Sequence, residues 1–220
     1  MTRIPSPASH RTCPASSGHL RFAGLPLAQQ REQLENIMRA DPAIMALLRA
    51  LKRLDLPDWL LVSGAIYNNV WNHLTGRPSM TGVKDCDVLY FDDTDLSFEA
   101  EDRVIRRVEA QLGTFTPPVE VRNQARVHLW APKKFGIELS PLASTVEALK
   151  NFACTTHAVG IRLDADDRMK VVAPFGLEAI FAFRLVPNYT LNNGATHERK
   201  ARRALEIWPE LTVEPWQERS

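Results

Sequence analysis

Between Leu27 and Met38 the apolar residues of LAQQREQLENIM recur at helical spacing, at Leu27, Leu34, Ile37 and Met38, and Asp41-Pro42 then ends one helix and begins another. The run PAIMALLRALKRLDL predicts that second helix, closed by Leu56-Pro57. DWLLVSG predicts a short buried strand, and from Ala65 to about Leu74 the pattern turns helical again, with Ile66, Val70 and Leu74 on one face. GRPSMTG is a loop by its Gly, Pro and Ser content, and CDVLYFD is a second strand. DLSFEAEDRVIRRVEAQL predicts an amphipathic helix, with Ser97 as N-cap and Glu99 and Glu101 near its positive end. PPVEVRNQ and ARVHLWA predict two further strands or one interrupted strand. After them come a capped short helix in SPLASTVEALKNF and a β-hairpin in AVGIRLDADDRMKVVAP. Two helices, GLEAIFAFRLV and ATHERKARRALEIWP, and an edge strand in LTVEPW complete the order.

Helices and strands alternating in this way argue for an α/β (α+β) fold built on a sheet core. With 220 residues, 45% of them hydrophobic, the chain can bury one substantial core. The expected organisation is a disordered extension over residues 1–25, rich in Pro, Ser and Arg, followed by a single domain over 26–220. Within that domain the core spans about 57–135 and a C-terminal helical and hairpin part spans about 140–220.

Charge and cysteine content narrow the function classes. Lys and Arg number 27 against 26 Asp and Glu, a formal net charge of +1, so no global field draws the chain to nucleic acid or anionic lipid. The three cysteines, Cys13, Cys86 and Cys154, have no zinc-site spacing, and their odd count favours a reducing, cytoplasmic setting. No apolar run reaches the roughly 20 residues of a membrane helix, and the N-terminus lacks the apolar centre of a secretory signal.

The chemistry concentrates on two acids. Asp85 and Asp87 stand at i and i+2 of a predicted strand, so their carboxylates leave the same face with Cα atoms roughly 6.5–7 Å apart. Two carboxylates so close are costly unless a positive charge lies between them. A hard divalent cation, Mg²⁺ or Mn²⁺, suits such oxygen ligands and leaves positions for substrate phosphates. Glu120, between two valines of VEVRN, joins that face as a third carboxylate if its strand pairs with the first. Upstream, Ser63-Gly64 ends an apolar strand where a helix begins. The glycine admits a phosphate close to the backbone, and the helix N-terminus offers free N–H groups and a positive dipole.

The succession of strand, Ser-Gly turn, helix, strand with Asp-x-Asp, helix and strand with an acid resembles the nucleotidyltransferase superfamily to which DNA polymerase beta belongs. More closely, SGAIYNNVWNHLTG, KDCDVLYFD, EVRNQARVHLW, STVEALKNF, AVGIRL and APFGLEAIFAFRLVPN look like a family of bacterial nucleotidyltransferase-like proteins, over about residues 57–216. The resemblance implies a mixed β-sheet flanked by helices, Gly64 in the phosphate turn, Asp85 and Asp87 as metal ligands, and Glu120 as the third acid. One position departs from the superfamily: Ala65 follows Gly64 where Gly or Ser is usual, leaving its backbone N–H for a phosphate and Ser63 for a hydroxyl.

The expected activity is Mg²⁺-dependent transfer of a nucleoside monophosphate from a nucleoside triphosphate to an acceptor, whether protein, RNA or small molecule. The alternative is a catalytically weak nucleotide-binding or regulatory module of the same fold. A metal-dependent phosphodiesterase would call for His-rich ligation, which the sequence lacks. Catalysis and metal binding fall to Asp85, Asp87 and Glu120, and phosphate binding to Ser63, Gly64, Ala65, Arg122 and Arg126, with His128 toward the substrate. Asp92, Asp93 and Asp95 read as a turn and helix start. Arg199, Lys200, Arg202 and Arg203 read as a solvated helix face, with a phosphate or RNA patch as the sharper alternative.

Overall fold

The structure is a computed structural model and describes residues 18–136 and 139–218. Helices α1 (Leu27–Ala40) and α2 (Pro42–Leu54) follow the predicted bounds, with Asp41 Oδ1 accepting from the amides of Ala43 and Ile44 at the joint. Strand β1 (Leu60–Val62) runs into α3 (Gly64–Thr75), and β2 (Cys86–Tyr90) is followed by α4 (Phe98–Leu112), which Ser97 caps as expected. Then come β3 (Val119–Asn123), α5 (Val127–Phe135) and α6 (Thr145–Lys150). The hairpin β4 (Gly160–Leu163) and β5 (Met169–Val172) precedes α7 (Glu178–Phe181), β6 (Arg184–Leu185), α8 (Gly194–Ile207) and β7 (Thr212–Val213).

Five strands form one mixed sheet in the order β3-β2-β1-β4-β5. Within this sheet β2 and β3 pair in parallel while the other described pairings are antiparallel, and α4 is the crossover that a parallel pair requires. Period-two alternation assigns the two faces. Cys86, Val88 and Tyr90 of β2, Val121 of β3, Leu61 of β1 and Ile161 of β4 enter the main core against α1–α4. Leu60, Val62 and Leu89 turn the other way and meet a small second cluster from α6 and its surroundings, including Ala148 and Leu149. Asp87 shares the face of Leu89, so the acids emerge where the sheet is only partly covered.

Three expectations are corrected. ARVHLWA is not a strand: the chain turns through a 3-10 segment, Gln124–Arg126, into α5. Asn123 ends β3, its side-chain oxygen accepting from the amides of Ala125 and Asp92, both at 3.1 Å. GLEAIFAFRLV gives a single helical turn, because Phe183 adopts φ +52° and Arg184–Leu185 pair in parallel with Thr212–Val213 in a separate two-stranded sheet. The extension expected over 1–25 is docked from residue 18 onward. Phe22 packs edge-on against Phe181, and the Gly24 amide donates to the Glu178 carboxylate. Residues 1–17, including Cys13, lie outside the described residues. No helix among the described residues is long and apolar enough to cross a membrane.

Candidate active site

Ser63 begins the site with an unusual backbone. It sits at φ +59°, ψ −121°, a conformation that costs a non-glycine residue about 1–3 kcal/mol and persists only where its surroundings enforce it. The enforcement is visible. The Ser63 amide donates to the Val159 carbonyl at 2.9 Å, and its own carbonyl accepts from Ile66 and Tyr67. The Tyr67 ring stacks on buried His157 at 4.4 Å. The amides of Gly64 and Ala65 fall in the first turn of α3, where the helix supplies no carbonyl to receive them. Ala65 is fully buried with its methyl in the main core, so a hydroxyl at this position would not face the cleft.

The loop between α3 and β2 is pinned onto α3 by buried amides. Asn69 Oδ1 accepts from the Met80 amide at 2.7 Å, and Asn72 Nδ2 donates to the Thr81 carbonyl at 3.0 Å. Gly82, at φ +75°, passes so close to Trp208 that a Cβ would lie 2.5 Å from its ring, so only glycine fits. This fixes the approach to Lys84 and Asp85.

Asp85, Asp87, Ser63, Gly64 and Asn68 line one cavity of about 230 Å³, with Lys84, Lys200 and Arg203 on its other walls. The two cations on α8 were expected to face solvent. Instead α8 is anchored by its buried side: His197 Nδ1 lies 3.0 Å from Cys154 Sγ, and His197 Nε2 donates to the Glu214 carbonyl at 2.8 Å. Ala201 and Ala204 pack inward, and Lys200 and Arg203 turn to the cleft. The available signal was that Lys200 and Arg203 share a helical face three residues apart; nothing local said what that face opposes.

The parallel register places Glu120 directly beside Asp87, the pairing that the sequence reading assumed, and Leu89 beside Arg122. Glu120 stays half exposed, with Arg122 at 3.7 Å. Arg126 goes elsewhere. Only 8% exposed, it pairs with buried Glu101 and donates from Nε to the Leu96 carbonyl at 2.8 Å, lining neither this cavity nor the larger one of about 720 Å³ that adjoins it. His128, on α5 rather than a strand, also lines neither. Asp92 and Asp95 form the expected turn, accepting from the amides of Thr94 and Ser97.

The electrostatics record the crowding of acids. Burial, then Asp85, push the Asp87 carboxyl up to about 6, with Glu120 adding to the rise and Lys200 and Arg122 opposing it. Burial and the same two aspartates push the Cys86 thiol up to about 12, so it remains protonated. Among the described residues no three His, Cys, Asp or Glu side chains converge tightly enough to enclose a metal by themselves. Asp87 on β2 and Asp85 just before it open to the cavity, with Glu120 beside Asp87 in the sheet but outside the cavity lining, and this pair nevertheless fits a hard divalent cation. Such an ion is commonly held by one or two carboxylates and completed by water and substrate phosphates. The raised Asp87 carboxyl marks the place where a positive charge would be stabilised.

Gly64 offers a direct check on the cavity wall. A Cβ here would meet Asn68 Nδ2 at 3.5 Å, ordinary contact, and would stand in the cavity. Gly64→Ala is therefore expected to fold normally while weakening triphosphate binding about tenfold, measured by calorimetric titration. Unchanged affinity would remove the α3 turn from the phosphate site.

A family model described as Nucleotidyltransferase matches residues 49–213 of this chain. A solved NMR structure whose description reads "a CCA-adding enzyme head domain" superposes with a TM-score of 0.68 at 22% identity, covering 84% of this chain and 96% of that one. That likeness bears on the fold. No curated protein matches the chain.

Proposed function

The chain belongs to the nucleotidyltransferase family, and on that premise we propose that it moves a nucleoside monophosphate from a nucleoside triphosphate to an acceptor hydroxyl in an Mg²⁺- or Mn²⁺-dependent reaction. The observation that carries the reading is the single cavity in which the Asp85-Asp87 pair faces the N-terminus of α3 and the cations of α8. In this reading Asp85 and Asp87 hold the cation, with Glu120 beside them. When bound, the ion neutralises charge on the triphosphate and acidifies the acceptor hydroxyl.

The chain's own groups supply the rest. The amides of Gly64 and Ala65 and the dipole of α3 bind the outer phosphates, and Lys200, Arg203 and Lys84 balance their charge. This cradle holds the α-phosphorus in line with the attacking oxygen. The Glu120 carboxylate, exposed and adjacent to Asp87, accepts the acceptor's proton. The new bond joins the acceptor oxygen to the α-phosphorus; the bond from that phosphorus to the β-phosphate oxygen breaks, and pyrophosphate leaves.

The test is incubation of native protein and Asp85→Asn/Asp87→Asn with each α-labelled nucleoside triphosphate, Mg²⁺ or Mn²⁺, and pooled small-molecule, RNA and protein acceptors. Label should pass to an acceptor only with native protein. Binding without transfer in every pool would instead support a nucleotide-binding module.

Lys200 lines both the small cavity and its larger neighbour, and of the surrounding cations it most favours the ionised form of Asp87. Lys200→Ala is expected to raise the apparent KM for the triphosphate by about tenfold, while Lys200→Arg retains most of the affinity. Steady-state kinetics at fixed metal concentration distinguish the two.

A further inference from the structure

A second cavity of about 720 Å³ opens from the first and shares Ser63, Asp87 and Lys200 with it. The two differ in kind. At about 230 Å³, the first is below the range of roughly 300–1,000 Å³ usual for small-molecule pockets. Its walls carry two aspartates and three cations, which suit a compact polyanion with its counter-ion. The second falls inside that range. Apolar surface from Val127, Ala131, Leu142, Ala148, Phe152 and Leu191 forms much of its wall. Among that surface stand the amides of Gln124, Asn151, Asn192 and Asn193, and Asp87 is its sole carboxylate among the described residues.

We propose that this larger cavity between α5, α6 and α8 takes the nucleoside half of the triphosphate, so that one substrate spans both cavities with its α-phosphate at Asp87, Ser63 and Lys200. This rests on the reading of the smaller cavity as the site of the outer phosphates. The chemistry matches a nucleobase on two counts. An aromatic ring, Phe152, and aliphatic walls offer a face on which a flat heterocycle is buried. Amide side chains each carry a donor and an acceptor, the pairing that reads the hydrogen-bonding edge of a base. The remaining cations, Arg199 and Lys200, lie at the α8 wall shared with the phosphate site. The acceptor then approaches from the open side of β3, where Glu120 is exposed at the edge of the sheet.

Ala195 makes the test clean. It is exposed on the first turn of α8, yet lines the larger cavity and not the smaller one. Ala195→Trp fills the cavity from outside without entering the core. With Mg²⁺ present, binding of inorganic tripolyphosphate and of ATP, GTP, CTP and UTP is titrated calorimetrically on native protein and variant. In native protein at least one nucleotide should bind tenfold or more tightly than tripolyphosphate. In Ala195→Trp that advantage should vanish while tripolyphosphate affinity stays within twofold, which also shows that the variant is folded.

Nucleotides no tighter than tripolyphosphate in native protein, or an advantage that survives Ala195→Trp, overturns the proposal. Nucleotide binding that is sensitive to Ala195→Trp, without any tripolyphosphate binding, overturns the phosphate reading of the smaller cavity but not the nucleoside site. Loss of both in native protein overturns both.

Discussion

Asp87→Asn is expected to reduce nucleotidyl transfer by about 10³-fold or more and, in metal-free buffer at pH 8, to raise the melting temperature. The two effects have one cause. Asp87 sits on a largely covered strand beside Asp85 and Glu120, which holds its carboxyl at about 6 rather than 3.8. Because the folded value lies above the unfolded one, the penalty is absent below about pH 4, where both states are protonated. It grows through the interval and is complete above about pH 6. At about 1.4 kcal/mol per pH unit the interval gives an upper figure of about 3 kcal/mol, which solvent at the partly exposed carboxylate cuts to about 1–2 kcal/mol. For a domain of this size that corresponds to roughly 2–8 °C. The gain should vanish at pH 4, and Mg²⁺ should stabilise native protein more than the variant. Scanning calorimetry at pH 4 and 8, with and without Mg²⁺, decides the matter; a variant less stable than native protein at pH 8 would show Asp87 to be a structural anchor.

Arg126→Ala is expected to cost about 3–5 kcal/mol of stability and to leave nucleotide affinity within twofold. Arg126 and Glu101 form an ion pair with both residues under 9% exposed, and Glu101 Oε1 also accepts from the Asn123 amide at 2.9 Å. Removing the arginine strands a buried carboxylate at the end of β3. Replacing both partners by apolar residues, as in Glu101→Leu/Arg126→Met, should recover part of the loss. Denaturant unfolding beside nucleotide titration separates this from the phosphate-binding role assigned from sequence, for which stability would hold and affinity would fall.

Arg126 also shows where sequence reading stops. The alternation in ARVHLWA fits a strand as well as a helix, and the deciding contacts come from Glu101, 25 residues away, and from the cap that Asn123 makes after pairing with β2. Likewise, GLEAIFAFRLV carries a helical pattern, but its second half is claimed by Thr212–Val213, a pairing no local pattern announces. What was legible lay in short-range physics. Asp41, Ser97 and Ser144 cap the helices they precede. Cys86 and Val88 enter the core, and so Asp87 faces the other way. The strand order that brings Glu120 beside Asp87 was an assumption that the register supports. The cations opposite were hidden, because Lys200 and Arg203 matter through the packing of His197 against Cys154, 43 residues distant.

Asp85 and Asp87 are proposed to serve nucleotidyl transfer with pyrophosphate as leaving group. Phosphorus NMR of native protein with the best-bound nucleoside triphosphate, Mg²⁺ and the acceptor pool tests it most directly. The expected result is one pyrophosphate released for each nucleotidyl group joined to acceptor, no γ-phosphate released as orthophosphate, and neither product with Asp85→Asn/Asp87→Asn. Orthophosphate as the primary product, or pyrophosphate release undiminished in the double variant, would contradict it.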